Sequence, residues 1–108
     1  MPIETMKKWR EKHHVTLDSL QKYYESDWNR TIRTIDDVKI VLSCGIEFEV
    51  QYKNIEALIT TSGCSGFSVQ SSENFYDTDD LDEFGEQATL GPYLLKDIVG
   101  KWEITWHA

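Results

Sequence analysis

The sequence predicts an α+β fold: N-terminal helices packed on a mostly antiparallel sheet of about five strands, a meander joined by a C-terminal strand. Three observations carry this reading. In the first third, Ile3, Met6, Trp9 and His13 recur at intervals of three and four residues, the period of a helix face. Further on, Ile46, Phe48, Val50 and Tyr52 alternate with Glu47, Glu49, Gln51 and Lys53, the period of a strand with one dry and one wet side. The links between apolar runs are short, and short links make consecutive strands antiparallel neighbours. A chain of 108 residues, 40% apolar and 12% aromatic, has the size and composition of a single domain (1–108) able to bury one core.

In chain order, the first helix has Lys7, Lys8, Arg10, Glu11 and Lys12 on its wet side. Thr16 can cap a second segment carrying Leu17, Leu20 and Tyr24. The helical pattern is expected to stop after Asp27-Trp28-Asn29. Val38, Ile40 and Leu42 then read as a first strand, with Cys44-Gly45 as the turn into the clean alternation of 46–52. Lys53-Asn54 is the next turn, followed by strands at Ile55–Thr60 and Phe67–Gln70. Pro92 suits a first helical position and Gly100 a residue just past a helix end, which predicts a short helix between them. Lys101–Trp106 reads as the last strand, with Trp102, Ile104 and Trp106 on one inner face beside Phe48 and Tyr52.

The net charge of −8 is unevenly spread. Residues 1–33 hold seven Lys/Arg and five Asp/Glu, whereas residues 34–108 hold four and fourteen. An acidic body of this kind repels nucleic-acid phosphates and attracts basic partners. The charged N-terminus does not resemble a signal peptide and no apolar run reaches membrane-spanning length, so a cytoplasmic protein without membrane contact is expected. Cys44 and Cys64 then read as reduced thiols; a bridge between them would close a loop of about 20 residues, worth on the order of 3 kcal/mol.

Residues 73–86, ENFYDTDDLDEFGE, contain seven carboxylates and no Lys or Arg. A calcium loop of EF-hand type fails here, because Leu81, Asp82 and Ala88 fall where an oxygen ligand, glycine and glutamate are required. Thr78 or Asp79 can instead cap a helix whose first turn holds Asp80, Asp82 and Glu83 beside its positive end. That accounts for about half of the acidic residues. Glu73, Asp77 and Glu86 are left over, as a recognition face or as a solvated surface.

Catalytic signatures are lacking. His13 and His14 point about 100° apart on a helix, and His107 sits next to the C-terminus. No nucleophile elbow, phosphate loop or His-Glu-x-x-His pair occurs. A helix-turn-helix reading of residues 3–25 lacks the turn glycine and a third helix, and the acidic body opposes DNA. Tyr23, Tyr24 and Trp28 sit at a helix end beside Glu25 and Asp27, as a protein anchor or as filling between helix and sheet.

Helices, a meander, the acidic-aromatic segment and a closing GPYLLKDIVGKWEI together resemble small immunity proteins of bacterial toxin systems, over roughly residues 38–106. The resemblance implies a cytoplasmic inhibitor of a basic toxin, often a nuclease, through acidic and aromatic residues. The expected partner-binding residues are Asp77, Asp79, Asp80, Asp82 and Glu86, with Tyr76 and Trp28 as anchors. No cofactor and no catalytic role are expected. The alternatives are a phage-encoded inhibitor of a host defence nuclease and a metal-dependent hydrolase built on the same carboxylates.

Overall fold

The computed structural model describes residues 3–24, 27–61 and 66–108; Cys64 lies outside them, and Cys44 is a free thiol. The α+β class holds. A five-stranded antiparallel sheet, in the order β4-β3-β2-β1-β7, carries the helices on one face. Its strands are β1 (Phe48–Tyr52), β2 (Ile55–Thr60), β3 (Phe67–Ser71), β4 (Phe75–Thr78) and β7 (Glu103–His107); β5 (Thr89–Leu90) and β6 (Tyr93–Leu94) form a separate small hairpin.

The helical region runs further than the sequence pattern predicts. α1 (Ile3–Lys12) ends at His14, whose φ of 56° breaks the spiral, and Thr16 caps α2 (Leu17–Leu20). A 3-10 turn at Gln21–Tyr24 follows, then α3 (Trp28–Thr31), capped by Asp27. The expected first strand is a helix, α4 (Ile35–Ser43). Val38, Ile40 and Leu42 fit a strand, but Val38, Val41 and Leu42 fit a helix equally well, and all three are buried. The ends decide between the two. At the N-terminus, the Thr34 hydroxyl accepts the Asp37 N–H (3.2 Å) while the Asp37 carboxylate accepts the Thr34 N–H (3.0 Å), a reciprocal cap. At the C-terminus, Gly45 at φ 77° donates to the Leu42 carbonyl and Ile46 donates to that of Val41. Cys44-Gly45 is therefore a helix stop, and no hairpin turn.

Asp37 does more than cap. Only 6% exposed, its carboxylate also accepts from the Tyr23 hydroxyl (2.6 Å), the Lys22 ammonium (2.9 Å) and the Arg33 N–H (2.9 Å). Tyr23 in turn accepts, through its carbonyl, the indole N–H of Trp28 at 3.1 Å. Trp28 packs edge-on against Phe48 of β1 and flat against His107 of β7, at 5.6 and 4.1 Å between ring centroids. One buried carboxylate thus ties the 3-10 turn to α4, and Trp28 passes that anchor on to the sheet.

Lys53 and Asn54, at φ 48° and 67°, make the two-residue turn expected between β1 and β2. β4 begins inside the acidic segment, where no strand was expected. Asp80, and not Thr78 or Asp79, caps α5 (Leu81–Gln87), accepting from the N–H groups of Asp82 and Glu83. Gly91 and Pro92 turn the β5–β6 hairpin, so the predicted 92–100 helix shrinks to α6 (Leu95–Ile98). Gly85 lets α4 approach α5: a Cβ there would lie 2.9 Å from Cδ of Lys39.

The inner face of the sheet is dry. Phe48, Val50, Ala57, Ile59, Phe67, Val69 and Ile104 are buried there against α4, α5, α6 and Trp28. The outer face is covered only at its Thr60–Ser68 end, where both residues are buried. Glu49 and Glu56 are exposed, and Leu58, Gln70 and Asp77 are only partly buried. Trp106 departs from the predicted inner stripe. The pairing of β7 with β1 passes from Glu49↔Trp106 to Val50↔Ile104, so Thr105 is an extra residue and the phase slips by one. Trp102 and Ile104 stay inside, Trp106 turns outward at 47% exposed, and His107 takes the inner position.

Burial works against ionisation of Asp37, yet the hydrogen bonds from Tyr23, Lys22 and the Arg33 and Thr34 backbone outweigh it and hold the carboxyl at about 2, down from 3.8. Between those values the unfolded chain binds the proton and the folded one does not. The stabilisation is therefore complete above pH 3.8 and is lost as pH falls towards 2, by about 2 kcal/mol. Denaturant unfolding across this range should show that loss in the parent protein and not in Asp37→Asn, which should already be less stable at pH 7 by about 3 kcal/mol.

Candidate binding surface

The acidic segment folds into several local tasks. Asp80 is spent on the α5 cap. Asp82 accepts from the Trp9 indole N–H (3.1 Å) and lies 3.6 Å from the Lys39 ammonium and 3.7 Å from His13. Partial burial works against its charge, but the Trp9 hydrogen bond and the Lys39, His13 and Lys12 charges keep its carboxyl below the usual value. Glu83 accepts from the Thr78 hydroxyl, and Glu86 pairs with Lys96 at 2.8 Å. Lys96 accordingly lowers the pKa of Glu86. Asp79 is exposed just ahead of the helix, and Asp77 lies on the outer face of β4 opposite Ser68.

Neither expected anchor sits with an exposed acidic face. Tyr76 points to the inner side, its ring edge-on to Phe84 at 6.0 Å, and burial followed by the charges of Glu83 and Asp80 raises its hydroxyl pKa. Trp28 is 3% exposed and packed in the core beside β7. β4 and β7 are opposite edges of the sheet, about 19 Å apart at four strand spacings. Trp28 and the acidic segment therefore do not form one surface, and a ring so enclosed has no free face for a partner. The exposed aromatics are Tyr24, Phe75 and Trp106.

The uncovered face of the sheet is a better-defined surface. Strand register places Phe75, Gln70, Leu58, Glu49 and Trp106 side by side in one row across all five strands. Two residues along, Glu56, Gln51 and Glu103 form a parallel row. On the other side, Asp77, Ser68 and Thr60 form a third that is mostly closed to solvent: Ser68 and Thr60 are buried, and the Thr60 hydroxyl donates to Glu47 at 2.6 Å. None of the five strands contains Lys or Arg. The nearest cation in sequence, Lys53, sits 5.8 Å from the ring centroids of Tyr52 and Tyr93. Among the described residues, Glu49, Glu56 and Glu103 enter no ion pair.

The sequence reading missed this surface because it weighed carboxylates by local density. The usable signal lay in the polar positions of the alternating stretch, Glu47, Glu49 and Gln51, a wet strand side whose one base, Lys53, falls in the turn that follows. Chemically, the surface offers charge and exposed apolar area for docking. Among the described residues, no group of three or more His, Cys, Asp or Glu side chains is placed to hold a metal ion. No helix there is long and apolar enough to cross a membrane.

No known protein family matches the chain, and no curated protein or solved structure is significantly similar to it.

The division between structural and surface carboxylates has a direct consequence. Removing the cap in Asp80→Ala should cost about 1 kcal/mol in urea unfolding, while Asp79→Ala should stay within about 0.5 kcal/mol of the parent.

Proposed function

We propose that this protein is a small acidic binding protein of the cytoplasm that inhibits a basic partner protein, in the manner of an immunity protein neutralising a nuclease-type toxin. The supporting observation is the uncovered sheet face, where carboxylates and exposed aromatics are assembled and the strands exclude cations. Such a face draws in a positively charged macromolecule from a distance, and the apolar groups retain it once water leaves the contact. The same negative potential disfavours nucleic acid. Inhibition follows if the covered region of the partner is the one that binds its own anionic substrate. A host defence nuclease met by a phage inhibitor would present the same charge problem and the same solution.

The test is inhibition of basic toxin nuclease domains, beginning with any encoded directly upstream of this gene. A stoichiometric complex should form and abolish cleavage. Its association rate should fall by at least about tenfold between 0.01 M and 0.15 M salt, because a Debye length shrinks from about 30 to 8 Å. An association rate indifferent to salt would contradict the proposed mechanism.

A further inference from the structure

The row Phe75–Gln70–Leu58–Glu49–Trp106 has a shape of its own. We infer that it is the docking line for a basic amphipathic helix of the partner, laid across the strands with its apolar stripe on the row. This rests on the reading above and specifies what the partner presents. The row has an exposed aromatic at each end, Phe75 at 56% and Trp106 at 47%, and a partly exposed leucine at its midpoint. Four strand spacings make it about 19 Å long. At 1.5 Å per residue, about 13 residues of helix, between three and four turns, cover that length.

The flanks select the charge. Along the strands, rows two residues away are displaced by about 7 Å. One side has the exposed Glu56 and Glu103; the other is mostly closed, with Thr60 and Ser68 buried, Glu47 bonded to Thr60 and one Asp77 oxygen enclosed. The three apolar side chains of the line thus alternate with Gln70 and Glu49, and exposed carboxylates border it on the Glu56–Glu103 side. A helix about 10 Å across presents an apolar stripe with side chains on its flanks, so Lys or Arg beside the stripe reaches Glu49 within the line and the Glu56–Glu103 row next to it. An extended segment laid in the same direction directs its side chains towards and away from the sheet and leaves only backbone at its flanks. A second copy of this face would bring carboxylate against carboxylate.

Between Glu49, Glu56, Leu58 and Gln70 the surface dips into an open depression of about 560 Å³, which gives a large side chain from the middle of such a helix room to descend. The bulge at Thr105 is part of the device. Without that extra residue Trp106 would face the core, and one end of the line would lack its anchor.

The probe is a synthetic peptide of about 14 residues with leucines on one helical face and lysines on its flanks, titrated into isotope-labelled protein and followed by NMR. A control peptide has the same composition scrambled so that no apolar face forms. Shifts should concentrate at Phe75, Gln70, Leu58, Glu49 and Trp106 for the patterned peptide, with affinity at least tenfold above the control. The double variant Phe75→Ser/Trp106→Ser alters only exposed rings, and it should weaken binding at least tenfold with the remaining spectrum unchanged. If that variant does not fold, Glu49→Gln/Glu56→Gln serves instead, with the same loss expected. Equal binding of both peptides, shifts on the helical side, or concentration-dependent dimerisation through this face would overturn the inference. Equal binding of the two peptides on the outer face would still leave an acidic surface for basic proteins. Failure of both peptides and of every basic nuclease domain to bind would remove the underlying reading as well.

Discussion

The fold turns on the carboxylate of Asp37. Alone and buried it would be a large cost, since removing a charge from water is repaid only by a full set of donors. Here Tyr23, Lys22, Thr34 and the backbone of Arg33 supply them, from the 3-10 turn and from the start of α4. α2 and α3 are four residues each, too short to persist on helical hydrogen bonds alone. Asp37 and Trp28 instead fix the 3-10 turn between them, and Trp28 packs against Phe48 and His107 of β7. α1 and α5 pack on α4, and α5 also on α6, β3 and β4, so the helices gather on one face and most of the other stays open to solvent.

Acidic residues consequently fall into two populations. Asp37, Asp80, Asp82, Glu83 and Glu86 are bound to donors within the protein and serve its own architecture. Among the described residues, Glu49, Glu56 and Glu103 enter no ion pair, and they lie side by side on strands without Lys or Arg. A coat serving only solubility mixes both signs. Like charges held close repel and lower stability, so their concentration on the uncovered face calls for a compensating use. The edge of that face is guarded as well: the Asn29 side chain accepts from the N–H of Ile104 and donates to its carbonyl, occupying backbone groups on which another strand could add.

Much of this was legible in the sequence. The alternation through Phe48, Val50 and Tyr52, the Lys53-Asn54 turn and the Thr16 cap all follow from local chemistry and reappear in place. Val38–Leu42 was ambiguous because a short apolar run satisfies both periods, and the deciding Thr34–Asp37 cap stands outside the run. Trp106 was misplaced by a single inserted residue, which no periodicity reveals before the partner strand is known. The acidic stretch misled for a different reason. Density along a chain is not density on a surface, and the bases that neutralise Asp82 and Glu86 come from α4 and α6, distant in sequence. Trp28 looked like an exposed anchor because its acidic neighbours conceal how deeply a following helix carries it inward.

The central claim is that attraction of a basic partner resides in the sheet face and not in the acidic segment. It is tested most directly by comparing two triple neutralisations in one stopped-flow experiment with the basic nuclease domain that the protein inhibits. Glu49→Gln/Glu56→Gln/Glu103→Gln should slow association at low salt by about tenfold or more, whereas Asp79→Asn/Asp82→Asn/Glu86→Gln, with the same change in net charge, should slow it far less. Equal slowing by the two, or a larger effect from the second, would contradict the account.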